Sequence, residues 1–207
     1  FSYLVEDQIL LPNDAFGQHY ATSRRFDDEV DEYELMDEAA KYYANILLPL
    51  SPIILKKIQE LQKANIPIKM IAPSHGIIWR KDPAKIINAY LLWARNETKP
   101  KVVIVYETMW GATEMMARKI AGGMTDAGIG VKLFDIAQAD RTEIIKEMLD
   151  ARGYIIGSST HDNDMLPTMA GFLEFLKGLK PKNRIACVFG SYGWAGGAVK
   201  NIEDVLK

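Results

Sequence analysis

The hydrophobic positions follow two different grammars along the chain. From Lys101 onward, short apolar runs alternate with longer amphipathic stretches. Lys101–Tyr106 (KVVIVY) is β-branched and nearly unbroken, the signature of a strand buried on both faces. Ala112–Ala127 repeats its apolar positions at helical spacing and stops at Gly128. Val131–Ile136 predicts a second strand, Thr142–Leu149 a helix, and Gly153–Gly157 (GYIIG) a third, buried strand. Pro167–Leu179 predicts a helix with proline in its first turn, where a missing N–H costs nothing. Ile185–Phe189 (IACVF) is a fourth strand, and Ala198–Lys207 opens a further helix. Strands and helices alternate without hairpin turn signals. The pattern predicts an α/β fold, a doubly wound parallel sheet covered on both faces. That last helix meets neither a cap nor a closing strand, so a further strand finishing the sheet edge is expected beyond it.

The first half is α+β in character. Tyr3–Val5 and Ile9–Leu11 read as short strands around Glu6-Asp7, and Asn13–Gly17 (NDAFG) as a loop. Asp27–Glu38 holds eight acids in twelve residues and reads as a solvated helix start, followed by apolar Tyr42–Leu48. Pro52–Ala64 predicts a helix. Ile68–Ala72 (IKMIA) predicts a strand running into Pro73-Ser74-His75-Gly76, and Ala84–Ala94 a further helix. The join, Arg95–Lys101 (RNETKPK), is polar, contains proline and reads as a linker. Two domains are therefore expected, 1–98 and 99–207, with net charges of −3 and +1.

Composition narrows the function classes. Of 207 residues, 48% are hydrophobic and 25% charged, which excludes a disordered or fibrous chain. Lys+Arg is 25 against 27 Asp+Glu, so the basic excess of a nucleic-acid binder is missing. The single Cys187 can form neither an internal disulfide nor a thiolate cluster, which favours a reducing, cytoplasmic setting. Apolar runs such as Ile46–Leu50 and Val102–Tyr106 are far too short to cross a bilayer, so no membrane partner is expected. No signal-peptide pattern stands at the start. The chain opens on Phe1 within a strand-like run, and a longer protein extending at both ends is expected.

The candidate chemistry lies after predicted strands. The segment from Glu107 through Thr108, Met109, Trp110, Gly111, Ala112 and Thr113 joins the first buried strand to its helix. There a doubly wound sheet presents backbone N–H groups and a helix N-terminus to an anion. Two threonines and a glycine can surround a phosphate without Lys or Arg. Neither a G-x-x-x-x-G-K-[ST] loop nor a G-x-G-x-x-G fingerprint is present, so neither a P-loop nucleotide nor a dinucleotide site is supported. A merely capped βα turn is the plain alternative. Two further loops favour a ligand: Ser158, Ser159, Thr160, His161, Asp162 and Asn163 after the third strand, and Ser191, Tyr192, Gly193, Trp194, Ala195 and Gly196 after the fourth. Together they offer hydroxyls for a phosphate, small residues for close backbone approach, and aromatic rings for stacking. A flat ring with a phosphate tail fits that inventory, with edge packing the alternative for Tyr192 and Trp194.

Residues 101–207 resemble a flavodoxin-like FMN-binding domain, and the resemblance implies that its last strand and helix are missing here. The resemblance implies phosphate held by Thr108–Thr113 and a flavin ring between Ser159–Asn163 and Ser191–Gly196, with His161 touching cofactor or solvent. Asn13-Asp14-Ala15-Phe16-Gly17-Gln18-His19 and Ala72–Arg80 (APSHGIIWR) resemble segments of the flavodiiron proteins (A-type flavoproteins). In that family a metallo-β-lactamase-like αβ/βα domain holding two irons precedes the flavodoxin-like domain, so 1–98 would be its C-terminal part. The resemblance implies Asp14 as the carboxylate bridging two irons and His75 as a terminal imidazole ligand, with His19 orienting a ligand. Carboxylate and imidazole suit non-haem iron. The family's H-x-E-x-D-H segment and another upstream His have no counterpart among the three histidines here, His19, His75 and His161. The implied activity passes electrons from a soluble donor (rubredoxin, a flavin reductase or a reduced deazaflavin coenzyme) through FMN to the irons. These would reduce dioxygen to water or nitric oxide to nitrous oxide. The implied assembly is a head-to-tail homodimer with one subunit's flavin facing the other's irons. The alternatives are an FMN electron carrier without a catalytic metal, and a zinc hydrolase with an incidental flavodoxin domain.

Overall fold

The computed structural model describes residues 1–207, which divide into two compact units, Phe1–Glu97 and Thr98–Lys207. The first unit opens with β1 (Ser2–Leu4) antiparallel to β2 (Ile9–Leu11). Helix α1 (Glu32–Tyr42) starts where Asp31 Oδ1 accepts the Glu34 N–H at 2.9 Å. A π turn (Tyr43–Leu47) and a 3-10 turn (Leu48–Leu50) lead into α2 (Ser51–Lys63). β3 (Met70–Ile71) pairs in parallel with β2, and α3 (Pro83–Ala94) follows. The core gathers Leu10, Phe16, Tyr43, Ile71, Trp79 and Tyr90, each at most 2% exposed. One part of the acidic run is not solvated. Asp27 is buried, and its carboxylate accepts the N–H groups of Arg80 at 2.9 Å and Lys81 at 3.0 Å just ahead of α3. A buried carboxylate persists when backbone donors satisfy it.

In the second unit β4 (Lys99–Glu107) leads to α4 (Ala112–Asp126), β5 (Gly130–Asp135) and α5 (Arg141–Met148). There follow β6 (Ala151–His161), β7 (Asp164–Met165), α6 (Pro167–Leu179), β8 (Ile185–Ser191) and α7 (Ala198–Leu206). The strands run parallel in the order β5-β4-β6-β8, with β7 antiparallel to the end of β6. On one sheet face Ile104, Tyr106, Ile155 and Phe189 pack on Ala117 and Ile120 of α4. The other face meets α5 and α6, as the Tyr154 hydroxyl donates to Met148 O at 3.0 Å and the Met169 N–H donates to Glu107 Oε2 at 2.7 Å. The predicted doubly wound sheet is therefore present. No helix is long and apolar enough to cross a membrane.

Two further details depart from the expected pattern. β6 does not end near Gly157 but continues to His161 and turns back through Asp162 and Asn163, both left-handed at φ +48° and +64°. A two-residue hairpin turn of this kind needs positive φ at both positions, which Asp and Asn tolerate. Part of the expected linker is strand as well: β4 starts at Lys99, and an irregularity between Lys99 and Val102 accommodates Pro100.

Candidate functional site

β4, β6 and β8 are adjacent and parallel, so the segments after their C-termini open onto one crevice. The order reverses at β4, with β5 on one side and β6 on the other, and open α/β sheets bind ligands at such a point. Register decides which side chains meet there. Ser159 lies opposite Ser191 across the β6–β8 pair. Thr113, fully buried in the first turn of α4, places Oγ1 2.9 Å from Ser159 Oγ and 2.8 Å from Ser191 Oγ. The two serine oxygens are 3.3 Å apart. Three hydroxyls from three chain segments thus form a closed triangle beneath the Thr108–Thr113 loop.

The loop is tied to that triangle. The Met109 N–H donates to Ser159 Oγ at 3.3 Å and the Gly111 N–H to Thr108 Oγ1 at 3.1 Å. Gly111, at φ +84°, caps α4. The first-turn amides of that helix have no intrahelical acceptor and face the crevice mouth with the positive end of the helix dipole. Met109, Trp110, Ala112, Ser159, Thr160, Ser191, Tyr192 and Gly193 line a cleft of about 330 Å³. Through the shared Thr160 and Gly193 it joins a second cleft of about 500 Å³, walled by Asp162, Asn163, Trp194 and Ala195.

Trp110, Tyr192 and Trp194 are 89%, 67% and 98% exposed, so edge packing does not account for them. Gly196 lies close against the Tyr192 ring. His161 is half-exposed, with Nδ1 3.3 Å from Asp162 Oδ2. Donors at one end and unpartnered rings at the other fit a phosphate-tailed planar cofactor. Thr113→Val is expected to weaken FMN binding about fivefold. It removes one hydroxyl worth about 1 kcal/mol and breaks the triangle. Fluorescence titration of the apoprotein measures this, and unchanged affinity would remove the loop from the site.

In the first unit, Asp14 and His75 are 61 positions apart in sequence yet adjacent in space. Asp14 Oδ1 is 3.2 Å from His75 Nε2, and the Ser74 hydroxyl donates to the same oxygen at 3.2 Å. Both side chains are about half exposed. The His19 ring lies 5.9 Å from His75 and edge-on to Tyr42 at 4.8 Å. Burial, with the nearby Asp14 charge adding to it, raises the Tyr42 phenol above its ordinary pKa. Donor chemistry and proximity fit Asp14 and His75 to two positions of an iron site. No group of three or more His, Cys, Asp or Glu side chains in this chain could hold a metal.

The sequence reading quoted Gln18 without giving it a role, and the structure shows one. Its fully buried amide joins the two segments that carry Asp14 and His75. No sequence signal marks it, since Ile77, whose backbone it pairs with, lies 59 positions along the chain.

A family model described as Flavodoxin matches residues 104–207. A protein named nitric oxide reductase from Moorella thermoacetica is 56% identical over the whole chain, which covers 52% of that protein. The rubredoxin oxygen:oxidoreductase structure from Desulfovibrio gigas superposes with a TM-score of 0.96 at 38% identity, over 99% of this chain and 51% of that one. The flavodiiron protein of Giardia intestinalis gives 0.94 at 35% identity, over 99% and 50%. The chain spans about half the length of these relatives. Strand order, the switch point at β4, the three crevice-rim segments and a family match over half the chain agree on one conclusion: the chain belongs to the flavodoxin family.

Proposed function

We propose that this chain is the flavin-bearing portion of a flavodiiron oxidoreductase, with residues 1–98 the C-terminal part of its metallo-β-lactamase-like domain. The flavodoxin domain implies FMN, which, when bound, takes electrons from a soluble donor and passes them on singly. Two irons, when bound, supply the centre at which nitric oxide or dioxygen is reduced. The residues of this chain do the holding. The Thr108–Thr113 loop and the α4 amides bind the phosphate, and Trp110, Tyr192 and Trp194 shield the ring. Asp14 and His75 supply a carboxylate and an imidazole to iron. The working form on this reading is a cytoplasmic homodimer, served by rubredoxin, a flavin reductase or a reduced deazaflavin coenzyme.

One observation favours this over a bare electron carrier: Asp14 and His75 come within 3.2 Å of each other. A carrier would have no use for such a pair, and a hydrolase none for the crevice. The test is FMN and metal content of the full-length protein carrying this chain, with nitric oxide and dioxygen consumption measured anaerobically with each donor class. FMN, iron and consumption are expected together. FMN without iron or consumption would indicate the carrier, and zinc with ester hydrolysis would indicate the hydrolase.

A further inference from the structure

We infer that Gln18 is the positioning residue of the metal centre, setting the separation of Asp14 and His75. This rests on the reading of those two side chains as iron ligands. Gln18 is fully buried, and both ends of its amide are engaged. Oε1 accepts the Ile77 N–H at 2.6 Å, while Nε2 donates to Ile77 O at 3.0 Å and to Phe16 O at 3.4 Å. The side chain thus pairs with one residue's backbone in both directions, as a neighbouring strand would. The main chain continues the seam: the Gln18 N–H donates to His75 O at 3.4 Å, and the Ser74 N–H to Asn13 O at 2.9 Å.

The seam joins the loop carrying Asp14 directly to the loop carrying His75, 59 positions along the chain from Gln18 to Ile77. Its fit is tight. A Cβ on Gly76 would stand 1.9 Å from Gln18 Oε1, and Gly76 has φ +78°. Only glycine meets both demands at low cost. The Gln18 amide hydrogen-bonds to neither Asp14 nor His75, so it acts through the backbone that presents them. Groups that orient metal ligands typically change metal affinity 10–100-fold when removed.

The experiment uses the full-length protein carrying this chain and measures ferrous iron affinity, Tm, and near-UV circular dichroism of the folded state. Gln18→Leu keeps the side-chain bulk and removes both hydrogen-bonding ends. It is expected to weaken iron binding roughly 10–100-fold at temperatures where the dichroism is native. A purely structural role would lower Tm and leave the affinity of the folded protein unchanged. Gln18→Glu carries the test if the leucine variant does not fold. It keeps an acceptor for Ile77 N–H and sets an oxygen against the Ile77 and Phe16 carbonyls, and the same loss is expected. Asp14→Ala is the reference arm. If it loses iron while the folded Gln18 variant binds at parental affinity, the positioning role is overturned and the ligand reading stands. If Asp14→Ala itself retains iron, the ligand reading falls and the positioning role with it.

Discussion

Gly197→Ala is expected to weaken FMN binding roughly tenfold or more and to lower the Tm of the flavin unit by several degrees. An added Cβ would stand 1.9 Å from the carbonyl oxygen of Asn163 and 2.6 Å from its carbonyl carbon. The obstacle is backbone, so no rotamer change relieves it. Nor is that backbone free to retreat. Thr160 Oγ1 accepts the N–H groups of Gly197 at 3.4 Å and Ala198 at 3.3 Å, holding the start of α7 to the end of β6. Asn201 Nδ2 donates to Asp164 Oδ1 at 2.9 Å, fixing the far side of the hairpin.

Either the Asp162–Asn163 turn or the first turn of α7 must shift. Overpacking of this kind typically costs about 1–3 kcal/mol. For a domain near this size each kcal/mol moves Tm by about 4–8 °C. The turn, Thr160 and Trp194 wall the larger cleft, so the shift reshapes the proposed cofactor site. A loss of about 1.4 kcal/mol in binding is the tenfold change. Calorimetry and flavin fluorescence titration read the two effects. Gly171→Ala in α6, where a Cβ meets nothing within 4 Å, is the control for adding a methyl. Parental FMN affinity in Gly197→Ala would detach the hairpin from the cofactor site.

The flavin unit was largely legible because its strands announce themselves. KVVIVY and GYIIG are short, apolar and bounded by polar or glycine-rich segments, as parallel strands buried on both faces are, and IACVF has the same look although Ile185, Ala186 and Cys187 lie exposed. The extension of β6 to His161 was not legible. Ser158, Ser159 and Thr160 read as loop by composition, and it is pairing with β4 and β8 at the two serines and with Met165 of β7 at Thr160 that makes them strand. The Asp162-Asn163 turn was not legible either, because the strong two-residue hairpin signals contain glycine and this pair does not.

Which crevice residues meet follows from register, which periodicity does not supply. Thr113, Ser159 and Ser191 could each be proposed from sequence, but their mutual contacts follow only once Ser159 is set opposite Ser191. Side chains that work through distant backbone were hidden altogether. Gln18 and Asp27 look like surface residues in a polar stretch, and the segments they tie to, at Ile77 and Arg80, lie more than fifty positions away. The Asp14–His75 pair was proposed from a resemblance alone, since neither residue sits at a spacing that by itself implies a metal.

Asp14→Ala in the full-length protein is expected to lose most of its iron while keeping FMN at the parental ratio. The carboxylate is 63% exposed and accepts from Ser74, so its removal strands no buried donor. The loop that carries it is held by other groups. The Phe16 N–H donates to the Tyr90 hydroxyl at 2.8 Å, Trp79 Nε1 donates to Phe16 O at 2.8 Å, and Gln18 pairs with Ile77. The variant therefore folds, and a loss of metal reports on the ligand rather than on the scaffold. On the proposed reading a bridging carboxylate serves two ions, so its loss should exceed the 10–100-fold seen for groups that merely orient ligands. On the proposed reading FMN stays, because Thr113, Ser159 and Ser191, which would hold it, belong to the other compact unit. Metal analysis alongside the flavin absorbance separates the two. The donor should still reduce the flavin while nitric oxide and dioxygen consumption collapse. Full iron occupancy with undiminished consumption would place the metal centre elsewhere and leave Asp14 as an ordinary loop residue.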